Sequence, residues 1–124
     1  MRRLVVTVCP LEAGAVRLPV ERGGAPRRLD ARAIVAELTA LVARRGLGER
    51  VELRAACAGG CGGRGPNVSV AIYPATPPGG RPDHVAIGWK TYVYSLAALD
   101  CLAAVIDANL AAPRPRAPRR SAAR

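Results

Sequence analysis

Residues 4–10 have the sequence Leu-Val-Val-Thr-Val-Cys-Pro, which predicts the first strand of the fold. Its β-branched residues are typical of a buried strand. The strand has to end at Cys9-Pro10, because proline cannot donate a hydrogen bond to a neighbouring strand. The sequence therefore predicts that the thiol of Cys9 lies at the end of a buried strand.

A helix is predicted downstream of this strand. Asp30 is a suitable N-cap, and Gly46 can adopt the left-handed conformation that often follows the last turn of a helix. Between them, apolar residues recur at helical spacing, at Ile34, Leu38, Leu41 and Val42. We therefore expect a helix from Asp30 to about Arg45. Residues 10–29, which hold three prolines and three glycines, are expected to form a long loop.

Three further strands and a second helix complete the predicted pattern. Apolar and polar residues alternate over 51–55 and 68–73, and residues 85–94 supply a fourth strand or a bent pair. Ser95 is a suitable cap for a final helix over 96–110. A helical connection makes the first two strands parallel, and short links favour antiparallel pairing among the later ones. The predicted fold class is α/β, with the order β-α-β-β-β-α and a mixed four-stranded sheet covered by two helices.

The length and the charge limit the kind of protein. A chain of 124 residues is expected to form one domain, residues 1–111, followed by a disordered Arg/Pro-rich tail, residues 112–124. The 19 Lys and Arg against 9 Asp and Glu give a formal net charge of +10. Five of these cations lie in the last eleven residues. All 19 cations of the chain except Lys90 are arginines. This looks like compositional bias, so we do not expect nucleic acid as a partner.

Several classes of protein are disfavoured by what the sequence lacks. No apolar run reaches the roughly 18 residues of a membrane span, and the N-terminal stretch is too short for a signal peptide, so we expect a cytoplasmic protein without a membrane segment. The glycine-rich segment 59–65 matches neither a phosphate loop nor a dinucleotide-binding pattern. With one histidine and no nucleophile near a base, no hydrolytic site is recognisable, and we do not expect an enzyme.

The placement of the cysteines is the most informative feature. In a reducing compartment, four cysteines are expected to be thiols or metal ligands rather than disulfides. Cys9 ends the first strand and Cys57 follows the second, so parallel strands would bring both thiols to the same edge of the sheet. Cys61 follows after three residues, among glycines that allow backbone amides to approach a negatively charged cluster. The pattern predicts that Cys9, Cys57 and Cys61 converge on one metal or cluster site.

These motifs resemble those of the thioredoxin-like [2Fe-2S] ferredoxins. The resemblance covers roughly residues 4–110 and rests on Val-Thr-Val before Cys9, the C-x3-C of Cys57 and Cys61, the Gly-Pro at 65–66 and the apolar strand at 68–73. It implies a thioredoxin-like fold, a [2Fe-2S] cofactor, and a role as a one-electron carrier or accessory redox subunit with a redox partner protein. In the family, four cysteines hold the cluster, and three of them map onto this chain.

The chain departs from the family at the second ligand, because residues 10–29 contain no cysteine. Glu21 stands about where the family's loop cysteine falls, and Glu12 lies nearby, although carboxylates stabilise sulfide clusters less well than thiolates do. Cys101, on the final helix, is expected to be a half-buried small hydrophobe. An external thiol is the other candidate, from a partner protein, from a small molecule or from a second copy in a homodimer.

The same three cysteines are compatible with other functions. The three cysteines could hold a structural zinc ion, or they could be relics in a cluster-free interaction domain. Thiol redox chemistry is disfavoured, because C-x3-C is not the C-x-x-C motif of thioredoxins. A purified sample would distinguish these possibilities by its colour and its metal content.

Overall fold

A computed structural model describes residues 2–12, 14–56, 66–75, 79–80, 85–92 and 95–110. The elements in these ranges are, in chain order, β1 (Arg3–Val8), β2 (Ala15–Leu18), β3 (Arg27–Asp30), α1 (Ala31–Arg44), β4 (Val51–Ala55), β5 (Val68–Tyr73), β6 (Gly88–Tyr92), a 3₁₀ helix (Ser95–Ala98) and α2 (Ala104–Leu110).

The main sheet has four strands in the order β4-β1-β5-β6. Strand β1 runs parallel to β4 and antiparallel to β5, and β5 runs antiparallel to β6. The α/β class, the mixed four-stranded sheet and its two helices are therefore confirmed. The parallel pair is connected through α1, as the crossover rule requires.

The core lies on one face of this sheet. Along β1 every second residue is buried, and the register places Leu4 opposite Ile72, Val6 opposite Val70 and Val8 opposite Val68, all of which point to the same side. Helix α1 packs against β1 and β4, and α2 packs against β1 and β5. The buried residues of both helices join the same cluster, so the aliphatic composition suffices to form one continuous core.

The ends of α1 follow the predicted signals. The side chain of Asp30 accepts a hydrogen bond from the backbone N–H of Ala33 at 2.8 Å, which satisfies one of the free donors at the helix start. At the other end Gly46 has φ +65°, a left-handed conformation that glycine adopts without steric cost. The helix ends at Arg44, one residue before the predicted end.

Residues 10–29 are not a simple loop, and this expectation was wrong. Strands β2 and β3 form an antiparallel hairpin in which Val16 pairs with Leu29, and the buried side chains of Val16, Leu18 and Leu29 join the core. The prolines and glycines that predicted a loop flank these strands or lie in the turn between them. The alternation of apolar and polar residues over 15–18 was the signal for this strand.

The final helix is shorter than predicted. A 3₁₀ helix covers Ser95–Ala98, and α2 begins only at Ala104. The backbone N–H groups of Leu102 and Ala103 donate to the carbonyl oxygens of Pro19 and Val20, at 2.8 and 2.9 Å, so these donors bind the hairpin instead of continuing a helix. Strand β6 begins at Gly88, three residues after the start of the predicted segment 85–94, and residues 93–94 and the tail 112–124 lie outside the described residues.

The packing of the hairpin predicts a contrast between two leucines. Leu18 is 2% exposed and Leu11 is 72% exposed. Leu18→Ala should lower the free energy of unfolding by about 2–5 kcal/mol, because it leaves a cavity in the core. Leu11→Ala should change it by less than about 0.5 kcal/mol. Urea denaturation of both variants measures the difference, and equal effects would contradict the packing of β2 on the core.

Candidate functional site

The end of β1 is held between two other chain segments. The N–H of Ala56, just after β4, donates to the carbonyl oxygen of Val8 at 3.1 Å. On the other side, the N–H of Cys9 donates to the carbonyl oxygen of Asn67, just before β5, also at 3.1 Å. Cys9 is only 3% exposed. The first predicted ligand is thus fixed at a rigid, buried position at the end of the central parallel pair.

Cys57 and Cys61 belong to segment 57–65, which lies outside the described residues. The described residues on either side of this segment include Ala56 and Asn67, the same two residues that flank the end of β1. The chain therefore leaves β4 beside Cys9 and returns beside Cys9 to enter β5. The convergence of the three thiols stays a prediction, and these two anchors are the geometric support for it.

Glu12 is the acidic residue nearest to Cys9 along the sequence. A turn at Pro10 and Leu11 separates the two residues. The ends of such a turn bring their Cα atoms within about 7 Å of each other. Glu12 is buried, with 6% of its surface exposed. A thiol and a carboxylate, both of which are ligand types for metal ions, are therefore buried at the two ends of one turn.

Glu21 occupies a different place. Its carboxylate forms ion pairs with Arg44 at 3.1 Å and with Arg45 at 2.9 Å, at the C-terminal end of α1. Hydrogen bonds from Arg45 and then from Arg44 lower the pKa of Glu21 below its ordinary value of 4.5. Arg45 also pairs with Asp107 of α2, so this group of charges connects the loop after β2 to both helices.

The two ends of α1 show how far Glu21 lies from Cys9. The first residues of α1 line a cleft together with Pro10 and Ala55, at the end of β1 and β4. Arg44 and Arg45 lie at the other end, and 14 helical residues span about 21 Å. The structure therefore does not bring the predicted ligand Glu21 to Cys9, and Glu12 takes its place as the internal candidate.

Neither the remaining cysteine nor the single histidine is a predicted ligand. Cys101 is a free cysteine in the hydrophobic core cluster, 3% exposed, next to the backbone that bonds to the hairpin. His84 lies outside the described residues. Sequence reasoning did not single out Asn67, which is 8% exposed and whose carbonyl oxygen holds Cys9, and nothing in its local sequence indicates this contact.

An apolar surface surrounds the turn after Cys9. A cleft of about 320 Å³ is lined by Pro10, Ala55 and the first two turns of α1, with Arg32 as its charged member. Leu11 projects from the neighbouring turn and is 72% exposed. An exposed large apolar side chain beside an apolar cleft is a feature of surfaces that contact other molecules.

Comparison of the chain with protein-family models, with curated proteins and with solved structures found no match. Within the described ranges, no three of the histidine, cysteine, aspartate and glutamate side chains form a group that could hold a metal ion. Neither α1 nor α2 has the length and apolarity that crossing a membrane requires, and the same is true of every helix among the described residues.

Glu21→Gln tests the placement of this carboxylate. Because the folded pKa lies below 4.5, the stabilisation from its ion pairs is present above pH 4.5 and is lost as the pH falls through the lowered pKa. The Tm of the wild type should exceed that of the variant near neutral pH, and the difference should shrink in acid. Thermal unfolding followed by circular dichroism measures this. A constant difference down to the lowest pH would contradict the ion pairs.

Proposed function

We propose that this chain is a small, cytoplasmic, ferredoxin-like protein that holds a [2Fe-2S] cluster at the end of β1 and exchanges one electron at a time with a redox partner protein. One observation carries the proposal. The segment with Cys57 and Cys61 is flanked by residues that are hydrogen-bonded on both sides of Cys9, through Ala56 and Asn67. These two anchors support the proposal that the three thiolate ligands implied by the resemblance converge at one end of the sheet.

The residues at this end suit an iron–sulfur cluster. Cys9 is shielded from water, and a buried thiolate is a ligand that a cluster requires. Five of the nine residues 57–65 are glycines, whose backbone amides can approach sulfur closely. When bound, the cluster would accept and release a single electron. The chain's own residues would exclude water and set the reduction potential through burial and hydrogen bonds.

The fourth ligand is the point on which this chain differs from the ferredoxins it resembles. Glu12 is the internal candidate, because it is buried and only a turn separates it from Cys9. An oxygen ligand would leave the cluster more labile than a fourth thiolate would. The external candidate is a thiol from the redox partner or from a second copy in a homodimer.

The redox partner would bind around the turn after Cys9. Leu11 is the exposed apolar side chain there, and the cleft beside Pro10 offers a second apolar contact. Binding at this end would place the partner's redox group close to the cluster, which electron transfer needs. Because Leu11 contributes little to the core, its replacement by serine should weaken partner binding without unfolding the protein.

A structural zinc site is the second candidate function. The observation that favours it is again Glu12, since zinc accepts a carboxylate ligand readily whereas sulfide clusters favour thiolates. Three cysteines and one glutamate would complete a tetrahedral zinc site. Such a protein would be a stable interaction domain and would transfer no electrons.

Anaerobic purification followed by metal and sulfide analysis distinguishes the two functions. A [2Fe-2S] protein should be brown, contain about two irons and two sulfides per chain, and give an EPR signal after reduction. Colourless protein with about one zinc would establish the structural site instead. Protein that stays colourless and metal-free after reconstitution with iron and sulfide would contradict both, and would favour a cluster-free interaction domain.

Cys9→Ser and Cys101→Ser form a matched pair, because both cysteines are 3% exposed. Cys9→Ser should lose most of the bound metal, since it removes a proposed ligand. Cys101→Ser should keep the wild-type metal content, although the buried hydroxyl should lower the stability of both variants by about 1–3 kcal/mol. Metal content per folded chain, with folding checked by circular dichroism, is the measurement. Equal metal loss in both variants would contradict the role of Cys9.

Substitutions of Glu12 test the fourth ligand. Glu12→Cys should retain the cluster longer in air than the wild type does, and should shift its EPR and absorption spectra, because a thiolate replaces an oxygen ligand. Glu12→Gln should lose the cluster faster. Glu21→Gln is the control and should keep the spectra and the cluster lifetime of the wild type, although its Tm should be lower. If neither change at Glu12 alters the spectra or the lifetime, the fourth ligand comes from outside the chain.

A further inference from the structure

A second cleft, of about 450 Å³, opens between β6, the 3₁₀ helix and α2. Its polar lining consists of Lys90, Tyr92, Ser95 and Asn109, and its apolar walls are formed by Ala98, Leu99 and Ala108. The volume lies within the range of small-molecule binding sites in proteins. A mixture of a few convergent polar groups with apolar walls is also typical of such sites.

The polar groups of this cleft are held in place by the fold. The side-chain amide of Asn109 donates to the hydroxyl oxygen of Tyr92 at 3.0 Å and to the carbonyl oxygen of Val105 at 2.8 Å. Because the Tyr92 oxygen already accepts this bond, its own proton can be donated to a bound molecule. Tyr92 is 3% and Asn109 8% exposed, so the phenol group is rigidly positioned.

The charge of the cleft is positive. The ammonium nitrogen of Lys90 lies 5.7 Å from the centroid of the Tyr92 ring, and both residues line the cleft. Among the described residues, no carboxylate lines the cleft and Lys90 takes part in no ion pair. Lys90 is also the only lysine in a chain whose other basic side chains are all arginine. An ammonium group is a compact point charge with three donors.

We propose that this cleft binds a small carboxylate with a short apolar body. The ammonium of Lys90 and the hydroxyls of Tyr92 and Ser95 would donate hydrogen bonds to the carboxylate. The side chains of Leu99 and its alanine neighbours would cover the apolar body. This site uses none of the cysteines, so it does not depend on the proposed cluster.

The cleft opens at the same end of the sheet as Cys9. Tyr92 is paired with Val68, and Val68 with Val8, so the cleft begins two strands away from the end of β1. Two strand spacings correspond to about 10 Å. A molecule bound in the cleft would therefore lie near the end of the sheet where the cluster is proposed, and would be separated from Cys9 by β5.

Isothermal titration of the full chain with hexanoate tests the site, with hexanamide and acetate as probes that lack the charge and the apolar body, respectively. Hexanoate should bind at least about tenfold more tightly than either. Lys90→Gln should weaken hexanoate binding about tenfold or more, whereas Arg28→Gln, which removes an exposed charge outside the cleft, should leave it unchanged.

The NMR signal of Lys90, the single lysine, reports where hexanoate binds. Reductive methylation with ¹³C-formaldehyde labels Lys90 and the N-terminal amine, and hexanoate should shift the Lys90 signal saturably. Tyr92→Phe should reduce the affinity while circular dichroism shows a folded protein. The proposal is overturned if hexanoate does not saturate the protein by about 10 mM, if acetate or hexanamide binds as tightly, or if Lys90→Gln and Arg28→Gln bind hexanoate equally well.

Discussion

The parallel pairing of β1 with β4 is the contact on which the rest of the structure depends. A slip of one residue would turn Leu4, Val6 and Val8 from the core to the open face of the sheet, so burial fixes the register. The same register determines that the chain leaves β4 at Ala56, beside Val8. The position of the candidate site therefore follows from the packing of the core.

The direction of α1 separates the two acidic residues that follow Cys9 in sequence. The helix begins at the Cys9 end of the sheet and ends near the start of β4, where Arg44 and Arg45 provide two positive charges. Glu21 binds these charges at the far end. Glu12 precedes the hairpin and stays beside Cys9. The topology thus assigns Glu21 to a surface ion-pair network and leaves Glu12 at the buried end of β1.

The parts of this fold that sequence predicted are those with strong local signals. Asp30 and Gly46 mark the ends of α1, and apolar alternation marks the strands of the main sheet. The hairpin was missed because its strands have only four residues each and stand among prolines and glycines. The break before α2 depends on hydrogen bonds to Pro19 and Val20, and no local pattern reveals a contact between segments so distant in sequence. The placement of Glu21 failed for the same reason, since the unrecognised hairpin carries the chain away from Cys9.

The proposed metal centre would link metal binding to folding. Cys9 and Glu12 are both buried at the turn that follows β1. A metal centre at this turn would tie segment 57–65 to the strand end through the two further cysteines. The free energy of metal binding would then add to the free energy of folding. In the proposed site, β1 would contribute a first ligand held by the sheet, and the glycines beside the other two cysteines would allow their backbone amides to approach the bound group.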